Sequence, residues 1–192
     1  MNMRLFFLIL LLASCASQPV SHLYSIDVPD GVRDAGLVPE TISVSMPTAH
    51  PGYDTAMMAY QVRPHEIDYF SRNSWIDTPG RMLYPALIEA LSKRFSAAVK
   101  APARADVRLD TDIVLFRQEF SGNSSRIHIV LRIMIDRNGK VASKTFEAFE
   151  PCPSNDPYGG AIAANQAVSR LMREISEFSV SQSSTPRPDR KG

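Results

Sequence analysis

Cysteine, tryptophan and histidine are scarce in this sequence of 192 residues, which has two Cys, one Trp and four His. The two cysteines form none of the paired-cysteine metal motifs. Charge of one sign is also lacking, because 21 basic residues are balanced by 20 acidic ones. This balance argues against a nucleic-acid partner, since phosphate binding needs clustered positive charge. The apolar run over residues 5–12 is far shorter than the ~20 residues that a membrane-spanning helix needs.

Motifs of bond-making chemistry are missing too: the sequence has no G-x-S-x-G, no glycine-rich phosphate loop and no H-E-x-x-H. His22, His50, His65 and His128 are scattered, and a solvated or structural role is expected for each. Cys152 lies between two prolines, without a neighbouring charge that would activate its thiol. We predict a protein that is not an enzyme and binds neither metal nor cofactor. The alternative is a hydrolase whose catalytic group is assembled from distant residues.

The N-terminus carries the most specific pattern of the chain. A basic residue and an apolar core over residues 5–12 lead into Leu12-Ala13-Ser14-Cys15, which fits the lipobox of a bacterial lipoprotein. We therefore predict a signal peptide over residues 1–14, cleavage before Cys15, and acylation of the Cys15 thiol and amine. The alternatives are a short transmembrane anchor, which its length disfavours, and an ordinary signal peptide followed by a chance cysteine.

The residue after the lipidated cysteine predicts the membrane. In enterobacteria an Asp at this position usually retains a lipoprotein in the inner membrane, and here the residue is Ala16. We therefore expect an outer-membrane lipoprotein with its domain in the periplasm. Acyl chains contribute about 0.8 kcal/mol per buried methylene, so a triacylated Cys15 needs no further membrane element. Lipidation would also leave Cys152 without an intramolecular disulfide partner.

Composition indicates one globular domain with short flanking segments. Hydrophobic residues make up 44% of the chain, which is enough for a single core at this length. Residues 15–22 are predicted as a tether, residues 23–180 as the domain and residues 181–192 as a disordered tail rich in Ser, Pro and Arg. As an alternative, the basic residues of this tail contact an anionic surface.

Strand patterns dominate the domain. Residues 126–136 alternate between aliphatic and polar side chains, as in a half-buried antiparallel strand. Asn138-Gly139 then predicts a tight hairpin turn into a strand over residues 140–149. With a preceding strand over residues 108–120, these segments form a predicted meander. Shorter strands are predicted at residues 23–28, 41–46, 57–62 and 67–70.

Two helices are predicted to cover this sheet. Apolar residues recur at spacings of three and four over residues 164–178, as in an amphipathic helix. The other helix is expected over residues 81–95, either starting near Met82 or bending at Pro85. Its buried stripe would consist of Leu83, Leu87, Leu91 and Phe95. The predicted fold class is α+β: a single domain with an antiparallel sheet and two helices packed on one face.

An aromatic segment over residues 69–83 precedes the first helix and contains the single Trp. Together with the lipobox it resembles the family of ABC-type transport auxiliary lipoproteins, whose members join an early strand, an aromatic strand, a Trp, a Pro and a leucine-rich helix. The matching positions are Cys15, Tyr24, Ile26, Tyr69, Phe70, Trp75, Pro79, Leu83, Pro85, Leu87 and Leu91. The similarity extends from Cys15 to about residue 178, and Ile26 stands where Leu is commoner in the family.

The resemblance implies a non-enzymatic part in lipid traffic, beside an inner-membrane ABC permease and ATPase and a periplasmic protein with a mammalian-cell-entry (MCE) domain. Tyr69, Phe70, Trp75 and Arg81 are candidates for docking such a partner, although core packing is the stronger expectation for Trp75. A second copy of the chain, in a homo-oligomer, is a further candidate partner. The alternative class is an envelope-assembly lipoprotein that regulates a peptidoglycan synthase or an outer-membrane machine.

Overall fold

The computed structural model describes residues 20–27 and 37–183. In chain order, its elements are β1 (His22–Tyr24), β2 (Val38–Val44), β3 (Thr48–Ala49), β4 (Met57–Gln61), β5 (Asp68–Trp75), α1 (Pro79–Ser92), β6 (Phe95–Lys100), β7 (Val107–Ser121), β8 (Ser124–Arg137), β9 (Lys140–Pro151) and α2 (Pro157–Ser183).

The long antiparallel meander β7–β8–β9 forms one half of the sheet, as predicted. Asn138 and Gly139 join β8 to β9 with φ angles of 52° and 81°. Positive φ at both central residues is what the tight hairpin turn requires, so this prediction is confirmed. Gly122, with φ of 57°, begins the equally short β7–β8 turn.

The remaining strands assemble on the other edge of β7. β2, β3 and β4 pair with it in succession, each in the parallel sense. β5 returns antiparallel to β4, β1 runs parallel to β5, and β6 runs parallel to β2. The predicted α+β class is confirmed, with parallel pairs added to a mostly antiparallel sheet. Periodicity could not predict these pairs, because it identifies a strand without identifying its neighbour.

A β-bulge in β7 exchanges the two faces of the strand. The pairing with β8 shifts register between Ile113 and Leu115. Before the shift, odd-numbered residues such as Leu109 are buried; after it, Phe116 and Gln118 are buried instead. One extra residue is enough to cause this exchange, because side chains alternate with a period of two.

Both helices pack against the sheet and contact each other. α2 lies on β8 and β9 and buries a stripe of small and aliphatic residues: Ala163, Ala164, Ala167, Val168, Leu171, Met172 and Ile175. α1 begins at Pro79, in the first turn where a missing amide hydrogen is tolerated. It continues through Pro85, whose ring is on the exposed side of the helix.

The predicted end of the first helix is wrong. Phe95 was expected on the buried stripe of the first helix, but α1 ends at Ser92 and Phe95 is the first residue of β6. Its side chain is fully buried in the strand. The spacing of four residues from Leu91 to Phe95 fits a helix. A buried first residue of the following strand is also apolar, so the pattern could not distinguish the last turn of a helix from the start of a strand.

The ends of the predicted domain are described only in part. β1 is shorter than the predicted strand over residues 23–28, and residues 28–36 lie outside the described part. α2 continues to Ser183, three residues into the predicted tail. The signal peptide, Cys15 and residues 184–192 also lie outside the described residues.

Candidate docking surface

The face of the meander opposite the helices carries polar and charged side chains. On β8, Ile127 and Ile129 point into the core, whereas Arg126, His128 and Arg132 alternate with them on the other side, as the sequence predicts. Several charged groups cluster on this outer face.

Glu119 is the centre of that cluster. Its Oε1 accepts hydrogen bonds from Arg117 Nη2 at 2.8 Å and lies 2.8 Å from His128 Nδ1. Its Oε2 accepts a hydrogen bond from Arg126 Nη2 at 2.9 Å. Partial burial raises the pKa of the Glu119 carboxyl, but hydrogen bonds from His128, Arg117 and Arg126 outweigh it and lower the pKa to about 2. Glu119 is therefore ionised at neutral pH.

His128 lies between two carboxylates and beside an aromatic ring. Its Nε2 is 2.7 Å from Glu147 Oε1, so both ring nitrogens have a carboxylate partner. The ring of Phe149 stacks on His128 with centroids 4.1 Å apart, and the guanidinium of Arg126 lies 4.2 Å from the Phe149 ring centre. Phe149 nevertheless remains 42% exposed.

This arrangement suits binding better than proton transfer. A histidine that acts as a general base needs a nitrogen facing the proton that it abstracts. Here Glu119 and Glu147 occupy both nitrogens of His128. The cluster instead presents the exposed ring of Phe149 next to the guanidinium of Arg126. Aromatic residues and arginine are enriched in protein–protein interfaces. We call Glu119, Arg126, His128, Glu147 and Phe149 the outer cluster.

A groove of about 550 Å³ opens beside the outer cluster. It lies at one end of the sheet, between the β4–β5 turn and the β7–β8 turn. Its walls include Val62, Arg63, Pro64, Phe120, Ser121 and Ser124, with Glu119 and Arg126 at its border to the outer cluster. The groove therefore combines apolar, hydroxyl and charged groups.

All three aromatic residues predicted for docking have intramolecular partners. Trp75 is 3% exposed and meets the ring of Phe116 edge-on, with centroids 5.4 Å apart. Its side chain therefore belongs to the core. Tyr69 is half-buried, and its hydroxyl donates a hydrogen bond to the Gly52 carbonyl at 3.0 Å.

Phe70 and Arg81 are the other two predicted docking residues. Phe70 is half-buried and packs with Tyr60 and Phe120 at centroid distances of 4.5 and 6.2 Å. Arg81 has a 69% exposed side chain, with Nη1 3.8 Å from Asp77. Docking by these residues stays a prediction.

Sequence reasoning missed Glu119, Glu147 and Phe149. The alternation along residues 126–136 already places Arg126 and His128 on the outer face. Extending the same alternation to β9 would have added Glu147 and Phe149 as cross-strand neighbours. The same alternation, applied to β7 from its first residue, would have placed Glu119 on the wrong face, because the bulge reverses the side on which Glu119 emerges.

Cys152 is a half-buried thiol just after β9. Burial raises its pKa, although hydrogen bonding from Ser125 opposes the shift. The reactive thiolate is therefore disfavoured at neutral pH. This agrees with the expectation of an unreactive cysteine.

Residues 20–27 and 37–183 lack two kinds of feature. Within them, no three His, Cys, Asp or Glu side chains are grouped so that they could hold a metal ion. Neither of the helices found there is both long and apolar enough to cross a membrane.

Solved structures with the same fold exist. The protein XCC0632 of Xanthomonas campestris superimposes with a TM-score of 0.76 at 23% identity, over 84% of this chain and 98% of its own. The hypothetical protein CT253 of Chlamydia trachomatis gives a TM-score of 0.52 at 9% identity, over 73% and 95% of the two chains. No curated protein has a matching sequence.

The sequence profile of the ABC-type transport auxiliary lipoprotein component matches residues 24–176. This segment starts at Tyr24 in β1 and ends at Ser176 in α2. It contains the sheet except for the first two residues of β1, both turns of the meander, all of α1 and most of α2. The chain therefore belongs to the family of ABC-type transport auxiliary lipoprotein components.

Proposed function

We propose that this protein is a non-enzymatic outer-membrane lipoprotein of an MCE-type ABC transport system that moves phospholipid or another lipid across the periplasm. The observation that carries the proposal is the family match over residues 24–176. The family name associates the chain with an ABC transport system. ATP hydrolysis would belong to the partner ATPase, since this sequence has no phosphate-binding loop.

The chemistry of the described side chains supports a non-enzymatic role. Both nitrogens of His128 have carboxylate partners, and burial raises the pKa of the Cys152 thiol. Each of these groups is thus held in a state that disfavours its use as a base or nucleophile. The outer cluster instead offers a rigid surface for a partner.

The proposed location rests on the predicted lipid anchor. Lipidation of Cys15 would hold the domain on a membrane, and Ala16 favours the periplasmic face of the outer membrane. From there the domain could meet an MCE-domain protein that bridges the periplasm. The outer cluster is the surface that we assign to this contact, because Phe149 is exposed between a charged and an aromatic neighbour.

Site-specific crosslinking in cells tests the proposal. A photo-crosslinking amino acid replaces Phe149 in the full lipoprotein, and the captured proteins are identified by mass spectrometry. The matched control places the same group at Gln166, an exposed position on α2. Cys15→Ala, which removes the predicted lipid, provides the anchor control.

Capture of an MCE-domain protein from Phe149, with little from Gln166, would support both the transport role and the assigned surface. Equal capture from both positions would support the role but refute the surface. Recovery of a peptidoglycan synthase or an assembly machine instead would favour the envelope-assembly alternative. Full membrane retention of Cys15→Ala would contradict the lipid anchor.

A further inference from the structure

Strand β9 forms a long edge of the sheet. Within the described part of the chain, it pairs with β8 and with no other strand. The pairing keeps one register from Lys140, opposite Arg137, to Pro151, opposite Arg126, so no bulge interrupts the strand. Natural proteins commonly protect an edge with a bulge, a proline or a short edge strand. β9 has twelve residues, and its single proline is the last of them, so it offers a regular edge for a further strand.

The odd-numbered residues of β9 turn their backbone groups toward this edge. In an antiparallel pair, residues alternate between those bonded to the partner strand and those that face away from it. The Phe149 carbonyl accepts a hydrogen bond from Arg170 Nη2 of α2 at 3.0 Å, so Phe149 faces away from β8. By the same alternation, four more residues face away: Val141, Ser143, Thr145 and Glu147. The Arg170 side chain covers the edge at its Phe149 end.

Exposed side chains follow this edge on the outer face. Val141 is 60% exposed and Phe149 is 42% exposed. Ser143, Thr145 and Glu147 between them are exposed as well. A strand that pairs with β9 lies beside it in the plane of the sheet, so it leaves the outer face open. Its side chains become cross-strand neighbours of these five, which therefore select the strand that fits.

The edge is complementary to itself when two copies meet antiparallel about Thr145. In that register, Thr145 lies opposite Thr145 of the second copy, and Ser143 lies opposite Glu147. Val141 then meets Phe149 of the second copy, so two exposed apolar side chains become neighbours. Threonine pairs, and pairs of an aromatic with a β-branched residue, are favourable across strands.

Neighbouring registers lose these contacts. A two-fold axis at Lys144 would place two ammonium groups directly opposite each other, and like charges in that position are destabilising. An axis at Ser143 or Phe146 would no longer bring Val141 opposite Phe149. With the axis at Thr145, Lys144 lies opposite Phe146 of the second copy. These residue types already meet within one chain, where Lys144 Nζ is 4.7 Å from the Phe146 ring centre.

We propose that two copies of this chain form a dimer by pairing their β9 edges antiparallel about Thr145, so that the two sheets become one. The occupant of the edge is a second copy, because in this register the side chains of the edge supply their own partners. Such an interface closes by two-fold symmetry, since the same patch is used on both sides. Both outer clusters would then lie on one continuous face. The dimer goes beyond the proposed function and does not require acylation of Cys15.

Disulfide crosslinking in the oxidising periplasm tests the register. Thr145→Cys is introduced into the complete chain in a Cys152→Ser background. The two Cα atoms of a hydrogen-bonded pair lie about 5.5 Å apart, which suits a disulfide. Ser143→Cys is the matched control, because it is exposed on the same edge but would lie four residues, at least about 13 Å, from its copy. The Cys152→Ser parent, which keeps Cys15, gives the background.

The expected result is a disulfide-linked dimer of Thr145→Cys at severalfold the yield of Ser143→Cys and of the parent. No dimer at position 145, or equal yields at positions 145 and 143, would overturn the proposal. So would a disulfide between position 145 and a different protein, which would assign the edge to that protein.

Charge substitutions test the same register without thiols. Thr145→Lys would oppose two ammonium groups across the two-fold axis, whereas Ser143→Lys would place a lysine opposite Glu147 of the second copy. Both side chains are exposed, so the fold should be retained, and circular dichroism checks this. In analytical ultracentrifugation of the complete protein, Thr145→Lys should raise the dimer dissociation constant severalfold, and Ser143→Lys should not raise it. A monomeric parent, or equal weakening by both variants, would refute the dimer.

Discussion

The amide oxygen of Gln118 lies where a methyl group on Gly160 would come within 2.4 Å of it. Gln118 is 1% exposed, and its Nε2 donates hydrogen bonds to Ser125 Oγ at 2.8 Å and to the Asp156 carbonyl at 3.1 Å. Asp156 in turn caps α2 by accepting a hydrogen bond from the Gly159 amide at 2.7 Å. Thus Gln118 joins the buried face of β7 to the start of α2, and a Cβ atom at position 160 fits only if the Gln118 amide moves away from its two hydrogen-bond partners.

Gly160→Ala should destabilise the domain by about 1–3 kcal/mol, the usual effect of overpacking a close contact. The sign of this change in folding stability is informative, because replacing a glycine inside a helix by alanine usually stabilises the protein by about 1 kcal/mol. Urea unfolding followed by circular dichroism measures the difference. In Gly52→Ala, the new Cβ atom would lie 3.8 Å from the Tyr69 hydroxyl, an ordinary contact, so this variant should be nearly neutral.

Trp75→Ala should cost about 3–5 kcal/mol of folding stability, as expected for removing a large buried aromatic side chain. Phe70→Ala should cost less, because Phe70 is only half-buried beside Tyr60. Chemical denaturation of both variants provides the comparison. A Trp75→Ala protein with unchanged stability but weakened partner capture would instead favour docking as the role of this residue.

The outer cluster should contribute stability that depends on pH. The pKa of Glu119 is lowered from 4.5 to about 2 in the folded protein. A depressed folded-state pKa gives stability that is fully present above 4.5 and is lost as pH falls toward 2. Glu119→Gln should therefore lower stability at neutral pH and flatten its decline within that acidic window.

Urea midpoints measured from pH 7 to about pH 2, the folded-state value for Glu119, test this expectation. The control is Glu66→Gln, which removes a turn carboxylate whose described ion-pair partner, Arg63, lies 3.7 Å away. Glu66→Gln should change the loss of stability with falling pH less than Glu119→Gln does. A Glu119→Gln protein that loses stability as steeply as the parent between pH 4.5 and 2 would contradict the assignment.

Cys152 should alkylate slowly in the folded protein at neutral pH, because burial raises its pKa and keeps the thiol protonated. The rate with iodoacetamide, measured by mass spectrometry, should increase severalfold in urea. Val62→Cys in a Cys152→Ser background supplies the exposed reference thiol. A Cys152 rate equal to that of the reference would refute the prediction.

Local sequence patterns were sufficient to predict a strand or helix where its structure depends mainly on its own residues. The alternation along residues 126–136 predicts which side chains of β8 are buried, and Asn138-Gly139 predicts its turn, because only residues that tolerate positive φ fit there. The three-and-four spacing in residues 164–178 likewise identifies α2. The pattern failed at Phe95, where an apolar residue at helical spacing belongs to a strand.

For this protein, the amino-acid sequence alone was enough to predict the lipobox ending at Cys15, the α+β class and the family, since each depends on residues close together in the chain or on their order. The parallel pairing of β2 and β4 with β7 came only from the folded chain, and so did the meeting of Glu119, His128 and Glu147. Those contacts join distant segments, and the β7 bulge reverses the face on which Glu119 emerges. No local periodicity encodes where such a bulge falls or which strands become neighbours, because both depend on how the whole sheet packs.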